Sequence, residues 1–598
     1  MDLSTLKALK PNEYSQAADG YRSTSDMASA AKDRIDNQIT VAMRNSLKGE
    51  AATAAIKQLG ELSKNFHYVQ VECGLVSTAL EAFSYEMGAA KTKLDAALEG
   101  AQAAKLTVNS DGSITYPPGG EKAADGKIPE GGTVSGLTDD TAAAVGRQAA
   151  SFDPNPSHRL AQDYADQIAA ALKEATEADE KWSPKLRALK ADDDLTVSDK
   201  DWADASSDTS GVSEASKEYL DSLPQPPKDG SPQDNAEWWK KLSAEEQAAW
   251  ISTHPDSVGK LDGLPATVRD EANRIVFDET RGKLQTELNS IPAPPINEWT
   301  WITSGPYPSK VHTDEWMEWN NKYGGRYEQL TKSLKGMQGI QERFDATGKG
   351  GLPEAYLLGF STEGNGRAIV ANGNPDTADH QAVYVPGTTS NLGKVDGDIN
   401  RMTDLWRVAN TEAHGQSVST ITWLGYDAPQ NLAKDSPFEH YAYDGAPTFR
   451  NFMDGLDASH SDDSTPHRTV IAHSYGSTLV GAAAETGHLN ADDVILAGSP
   501  GVKVSHATDL DVPEGHVWNE EADGDPVPDV GRYGHGGDGF IVPSDPSFGA
   551  NQMTTDTEGH SGYWDVGSDS LRNQARVAVG NGDDVQLKPP PNPWAHVK

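Results

Sequence analysis

The stretch VIAHSYGSTLVGAAA, residues 470–484, decides the fold of this chain. An apolar run leads to Ser474, and a row of small residues follows it. A strand that turns sharply into a helix has this pattern, because small residues two before and two after the serine avoid a clash of Cβ atoms. Ala472 and Gly476 occupy those two positions. Two interpretations follow: Ser474 caps a helix, or the turn exposes it as a nucleophile.

Short apolar runs recur from residue 351 onward, and a segment compatible with a helix separates most of them. The first two runs are joined by STEGN, which predicts a hairpin. Runs that are apolar throughout are typical of strands covered on both faces, as in a parallel sheet. We therefore predict an α/β domain over 351–580 and a tail over 581–598. The runs are AYLLGF, GRAIVAN, QAVYVPG, STITWLGY, HRTVIAHS, DDVILAGSPG and GHVWNEE.

A serine nucleophile needs a base and an acid that orients the base. In a doubly wound sheet, ligands bind at the carboxyl ends of the strands, and the chain order is nucleophile, acid, base. Asp525 follows the predicted strand GHVWNEE, and Pro526 keeps it out of a helical conformation. Asp523 and Asp529 are alternatives for the acid, and a plain acidic turn is the alternative for the whole segment.

The predicted base is His560, in the Gly-flanked stretch TEGHSGYWD near the end of the chain. His535 is the competing histidine, but it follows Asp525 too closely to leave room for another strand and loop. The order of these residues along the chain therefore favours His560.

The oxyanion of such a reaction needs two backbone N–H donors. One is the N–H of Tyr475, directly after the serine. The second is expected from the loop YVPGTTSNLG, where Gly387 lets the backbone approach the substrate and Thr388 or Thr389 donates. A plain Pro-Gly turn is the alternative interpretation of this loop.

Charge and composition exclude several classes of function. The chain has 51 Lys and Arg residues against 90 Asp and Glu, a net charge of −39, which argues against binding of nucleic acid or anionic membrane. The single cysteine, Cys73, excludes an intrachain disulfide and a cysteine-rich metal site. Neither a P-loop nor a His-Glu-x-x-His motif occurs, so we expect no metal and no cofactor. Without a signal peptide or an apolar span, we expect a soluble protein, cytoplasmic or secreted without a cleaved signal.

The chain before the α/β domain is predicted to be largely helical. In 1–105, apolar residues recur every three or four positions, which predicts a helical hairpin. Residues 106–140 are rich in Gly and Pro and are interpreted as a linker. Residues 141–350 are expected to be helical and irregular, acidic, and to include a tryptophan-bearing segment. There Ser243 and Glu246 are spaced as a capping box, and the tryptophan cluster is interpreted as packing rather than as a binding site.

Six ordered stretches between 351 and 580 resemble an actinobacterial α/β-hydrolase family, long known only as a domain of unknown function. They are VYVPGTTSNL, WLGYDAP, TVIAHSYGSTLVGAAA, DDVILAGSPGV, ADGDPVP and GHSGYWD. The resemblance implies a serine hydrolase with Ser474 as nucleophile, Asp525 as acid and His560 as base. Ala472 replaces glycine in the elbow, and Thr389 stands where some relatives carry glycine.

Two segments outside that domain also resemble known proteins. Residues 255–274 are similar to a segment often found just upstream of such domains. Residues 1–105 resemble the small helical-hairpin proteins of the WxG type, which type VII secretion exports, although Leu47 stands where the tryptophan would be. This second resemblance implies a role in export or in packing against a helical partner.

These observations give one main hypothesis about function and two rivals. The main one is an acyl hydrolase that acts on a small acyl ester, with an amide as the alternative substrate. The second is a secreted or partner-binding, toxin-like protein whose helical N-terminal half does the work. The third is an inactive hydrolase fold used as a scaffold. For the acyl group, five side chains either wall an apolar pocket or pack a helix on the sheet: Tyr441, Tyr443, Phe449, Phe452 and Met453.

Overall fold

The computed structural model describes residues 1–122, 126–189, 196–303, 307–461, 465–537 and 539–589. The last nine residues of the predicted tail, 590–598, lie outside this described part.

Helices dominate the chain before residue 351, as predicted. They are α1 Leu3–Ala8, α2 Pro11–Arg34, α3 Thr40–Ser46, α4 Glu50–Ala103, α5 Asp140–Ser151, α6 Pro156–Ala188, α7 Asp199–Ala215, α8 Lys217–Ser222, α9 Pro232–Lys241, α10 Ala244–Thr253, α11 Pro255–Lys260, α12 Ala266–Ser290, α13 Asp314–Trp319 and α14 Gly325–Phe344. A π-helical turn, Ile35–Ile39, joins α2 to α3. Helices α2 and α4 run antiparallel, and α4 also packs on α6, so the chain's own helices bury much of the hairpin surface.

The segment interpreted as a linker, 106–140, differs from that expectation. It carries three short strands, β1 Thr107–Val108, β2 Ile114–Tyr116 and β3 Gly132–Val134, which form an antiparallel sheet. Ile114 is buried in the same apolar core as α4 and α6. Strands of two or three residues are too short to produce a hydrophobic period, and burial against α6 holds them in place. A separate hairpin pairs β4 Trp299–Ile302 with β5 Ser309–His312.

The tryptophan-bearing segment behaves as packing, in agreement with the interpretation from sequence. Trp238, Trp239 and Trp250 are buried together in one apolar cluster. The capping box at the start of α10 is confirmed: the Ser243 side chain accepts the N–H of Glu246, and the Glu246 carboxylate accepts the N–H of Ser243.

An eight-stranded sheet forms the domain after residue 351, which confirms the predicted α/β class. The strands are β6 Ala355–Ser361, β7 Arg367–Asn372, β8 His380–Val385, β9 Val418–Leu424, β10 His467–His473, β11 Asp493–Ala497, β12 Val517–Glu520 and β13 Asn551–Gln552. In space they are ordered β13-β12-β11-β10-β8-β9-β7-β6. β7 pairs antiparallel with β6 and β9, and the other neighbours pair parallel.

Helices cover both faces of this sheet, which explains why its strands are apolar throughout. α16 His440–Ser459 and α17 Tyr475–Thr486 pack on one face. α15 Val395–Glu412 and α19 Asp569–Ala578 pack on the other. A short helix, α18 Val527–His535, follows β12 and lies over the carboxyl ends of the strands.

The segment 255–274 protects an edge of the sheet. It forms α11 and the start of α12, and α12 lies along the edge strand β6. The Asp270 carboxylate accepts the N–H of Leu357 at 2.6 Å, and the Asn273 amide donates to its carbonyl at 3.0 Å. These side chains occupy backbone groups that an uncovered edge would offer to another chain.

Candidate active site

Ser474 lies in the turn from β10 into α17, as its sequence pattern predicts. Its backbone has φ of 55° and ψ of −129°, a conformation that residues other than glycine rarely adopt. The Ser474 N–H donates to the carbonyl of Ala497 on the neighbouring strand at 3.0 Å. Gly476 must be small because a Cβ there would overlap the carbonyl of Val385 at the end of β8. The turn is therefore strained and held between two neighbouring strands.

Asp525 and His560 contact each other directly. The His560 Nδ1 lies 3.0 and 2.9 Å from the two carboxylate oxygens of Asp525. The Tyr563 hydroxyl donates to Asp525 Oδ2 at 2.6 Å, and the Val527 N–H donates to Oδ1 at 2.9 Å. Burial by itself would raise the pKa of Asp525, but these hydrogen bonds outweigh it and hold that pKa below its usual value. An ionised carboxylate only accepts, so Nδ1 carries the proton and Nε2 is left as the basic atom.

Gly498, the residue after β11, relates this pair to Ser474. A Cβ on Gly498 would lie 2.7 Å from Asp525 Oδ2 and 3.0 Å from His560 Nδ1. Gly498 directly follows Ala497, whose carbonyl accepts the Ser474 N–H. Ser474, Asp525 and His560 therefore all lie around the ends of β10, β11 and β12.

His473, the residue before the serine, fixes the backbone of His560. Its Nε2 donates to the His560 carbonyl at 2.8 Å, and the two rings lie 4.6 Å apart between centroids. Burial, reinforced by the Arg401 guanidinium, holds the pKa of His473 well below its usual value, so its ring is neutral. Sequence reasoning found neither this contact nor that of Tyr563. The only available signal was their position beside Ser474 and His560.

The competing residues lie elsewhere. Asp523 is exposed and shares a backbone bridge with Glu558. Asp529 sits on α18, largely exposed, with Arg532 at 3.8 Å. His535 is buried, and its Nε2 donates to the carbonyl of Ser436 at 2.8 Å. Asp525 is thus the one carboxylate of the three that contacts His560.

The loop after β8 packs directly on the serine turn. A Cβ on Gly387 would lie 2.7 Å from the Ser474 Cβ and 2.9 Å from the Tyr475 nitrogen, so this close approach requires glycine. The Thr389 N–H donates to the carbonyl of Pro429 at 2.6 Å and is therefore occupied. Within the described residues, the N–H groups of Thr388 and Tyr475 have no protein acceptor. Of the two threonines considered from sequence, Thr388 is the one whose N–H is not engaged by another residue of the described part of the chain.

A cavity of about 460 Å³ opens beside Ser474. Its lining comes from the loop before α16, the loop after β11, and α18. Three large apolar side chains of α16 do not line it. Phe449, Phe452 and Met453 are buried between α16 and the sheet. Of the two interpretations of those side chains, packing on the sheet is correct for these three.

The described part of the chain contains no cluster of three or more His, Cys, Asp or Glu side chains suited to hold a metal ion. Within the same residues, no helix combines the length and the apolar character needed to cross a membrane.

Comparison with known proteins finds a family match for the region around this site. A family model described as alpha/beta hydrolase matches residues 362–534, a range that contains Ser474 and Asp525. Uncharacterized protein Rv2079 of Mycobacterium tuberculosis is 28% identical over 398 residues, covering 60% of this chain and 57% of the relative. The chain thus spans little more than half the length of that relative. Uncharacterized protein Mb0988c of Mycobacterium bovis is 31% identical over 197 residues, 30% of this chain and 73% of the relative.

Proposed function

We propose, from the match of residues 362–534 to the α/β-hydrolase family, that this chain is a serine hydrolase that cleaves acyl esters through a covalent acyl-enzyme. The observation that carries the proposal is the hydrogen-bonded pair of His560 and buried Asp525 beside the strained Ser474 turn. A helix cap needs no such pair. A serine nucleophile does, because its hydroxyl is a weak nucleophile until a base takes its proton.

In the proposed reaction, the Ser474 Oγ attacks the ester carbonyl while His560 Nε2 takes the hydroxyl proton. Asp525 holds the proton on Nδ1 and stabilises the imidazolium that forms. The N–H groups of Tyr475 and Thr388 bind the oxyanion, and the N-terminus of α17 favours the developing negative charge.

The tetrahedral intermediate then collapses. His560 donates its proton to the departing alcohol, which leaves an acyl group on Ser474. Water enters, and His560 removes its proton as the water oxygen attacks the acyl carbon. The bond between that carbon and Ser474 Oγ then breaks, His560 returns the proton to Oγ, and the acid product departs. Each proton is taken up and returned by His560, so the cycle needs no cofactor. The same groups serve amide hydrolysis, in which His560 protonates an amine.

A fluorophosphonate probe tests this proposal, because it reacts with activated serines. We expect the full-length protein to be labelled at Ser474, as located by mass spectrometry, and Ser474→Ala to lose the label. Asp525→Asn should slow labelling by about 10³- to 10⁴-fold. Asp523→Asn is the matched control in the same turn and should label at the rate of the unaltered protein. Absence of label at Ser474 would refute the proposal, and equal losses in both Asp variants would refute Asp525 as the acid.

A second role is proposed for the α2–α4 hairpin, namely export or contact with a helical partner. Its support is the antiparallel pair itself, on which Met27 and Leu62 are exposed, with Leu47 exposed between α3 and α4. Co-expression of the full chain with small helical proteins encoded beside it tests this role. Co-purification of such a protein with the chain, lost in Met27→Glu, would support this role. If none of these proteins co-purifies with the full chain, the role is contradicted.

A further inference from the structure

The walls of the cavity beside Ser474 are mainly apolar. Five of the side chains that form them are Pro437, Pro500, Pro526, Val527 and Val530. A volume of about 460 Å³ lies within the usual range for small-molecule sites.

The polar groups of the cavity are largely engaged within the protein. The Thr388 and Ser436 hydroxyls lie 2.9 Å apart and hydrogen-bond to each other. His535 Nε2 donates to the Ser436 carbonyl at 2.8 Å, which ties α18 to the loop before α16. Burial lowers the pKa of His535, so its ring adds no charge. A ligand in this space finds apolar contacts and few hydrogen-bonding partners, which suits an aliphatic chain.

The mouth of this cavity is apolar as well. Among the described residues between 351 and 589, six large apolar side chains are more than half exposed. Five of them lie in the loop before α16 or on α18 and shortly after it, and both of these segments contribute residues to the cavity wall. They are Leu432, Phe438, Val530, Tyr533 and Phe540. We call these five the rim.

Contacts tie all five rim residues to the cavity. Leu432, Val530 and Tyr533 line it directly, and the ring of Phe540 lies 5.9 Å from that of Tyr533. The Phe438 carbonyl accepts the hydroxyl of Tyr475, which also lines the cavity. A contiguous patch of exposed apolar side chains is unusual on the surface of a soluble protein and marks an interaction site.

The charges near the rim favour a neutral surface as its partner. Arg532 on α18 pairs with Asp545 at 3.1 Å, and Lys503 pairs with Glu439. These two cations are therefore already paired within the chain. Lys434, in the loop that carries Leu432, and Asp529 on α18 are both exposed and of opposite charge. The net charge of −39 further disfavours anionic lipid.

We propose that the cavity holds the acyl chain of a long-chain ester, and that the rim takes this ester from a neutral or zwitterionic lipid surface. The inference rests on the proposed function, because it places the ester carbonyl at Ser474. From that point the chain extends beneath α18, and the head of the ester remains outside. Val530 contacts the chain within the cavity and borders the lipid at its mouth.

Soluble p-nitrophenyl esters test the acyl-chain site in the full-length protein. Each methylene that becomes fully buried raises kcat/KM by about fourfold. Octanoate has four more methylenes than butyrate, so burial of only two of them should already favour octanoate by more than about tenfold. Val530→Asp should abolish this preference, so that the ratio of kcat/KM for octanoate to kcat/KM for butyrate falls to about one. Val145→Asp is the matched control, since Val145 on α5 is 61% exposed and Val530 is 71% exposed. Both sites are exposed, so neither change disturbs a core.

Flotation with phosphatidylcholine vesicles tests the lipid surface. We expect the unaltered protein and Val145→Asp to float with the vesicles, and Tyr533→Asp to remain in the dense fraction. Phosphatidylglycerol vesicles should bind less protein, because the chain is acidic.

The outcomes separate this inference from the function on which it rests. Butyrate hydrolysis with label at Ser474, but equal rates for both esters, would overturn the acyl-chain site and leave the hydrolase. Preference for octanoate without vesicle binding would overturn the lipid surface as the source of the ester. Absence of both hydrolysis and label would overturn the hydrolase itself, and the inference with it.

Discussion

Glu72 offers a test of the energetics of the helical half. This residue lies on α4 and is buried against α7. Burial raises the pKa of Glu72 to about 8, and the carboxylates of Asp208 and Asp204 add to the shift. The folded protein therefore keeps a proton on Glu72 at pH values where the unfolded chain has lost it.

The sign and size of the effect follow from this difference. Where the folded state binds more protons than the unfolded state, the free energy of unfolding falls as pH rises. The fall begins near the ordinary pKa of 4.5 and ends near 8, which corresponds to about 5 kcal/mol in total. Glu72→Gln keeps the shape of the side chain and cannot ionise, so it removes this contribution.

The assay is urea unfolding of the full-length protein and of Glu72→Gln, followed by far-UV circular dichroism at several pH values. We expect the variant's advantage in free energy of unfolding to grow by about 4 kcal/mol between about pH 5 and pH 9. Other buried carboxylates titrate in both proteins and cancel in the difference. A difference that stays constant across this range would refute the assignment of a raised pKa to Glu72.

Three further substitutions test the site and the core. Gly387→Ala would place a Cβ 2.7 Å from the Cβ of Ser474, so the loop must move. Labelling of Ser474 by the fluorophosphonate should then slow by about 10²- to 10³-fold. An unchanged labelling rate would contradict this packing. Tyr563→Phe removes one hydrogen-bond donor to Asp525, so kcat should fall about tenfold. The acid limb of the pH–rate profile should also move to higher pH. An acid limb that does not move would argue against this role of Tyr563. Phe449→Ala should lower the free energy of unfolding by about 3–5 kcal/mol without changing kcat/KM of the folded enzyme. A selective loss of activity on long-chain esters would instead place Phe449 in the acyl site.

The fold of the C-terminal domain could be predicted from short stretches of sequence. Strands buried on both faces must be apolar throughout, and the loops that separate them are marked by Gly, Pro and polar residues. The small sheet at 107–134 could not be predicted in this way. Its strands have two or three residues each, and only their contact with α6 distinguishes them from a loop.

The candidate site shows the same division between local and distant information. The turn at Ser474 is recognisable from neighbouring residues, because Ala472 and Gly476 supply the small residues that such a turn requires. The atom that a Cβ on Gly476 would meet, the Val385 carbonyl of β8, is distant along the chain. Sequence left open whether Thr388 or Thr389 supplies the second N–H donor. The contact of Thr389 with Pro429, forty residues away, separates these two.

By itself, then, the sequence determined the class of the fold, the turn that carries Ser474, and the order in which an acid and a base follow it. Only the tertiary structure decided that Asp525, and not Asp523 or Asp529, contacts His560, and that His473 and Tyr563 hold the pair in place. The physical reason is the range of the interactions. Steric and hydrophobic patterns act between neighbours along the chain, whereas a hydrogen bond between distant residues exists only after strands such as β10, β11 and β12 lie side by side.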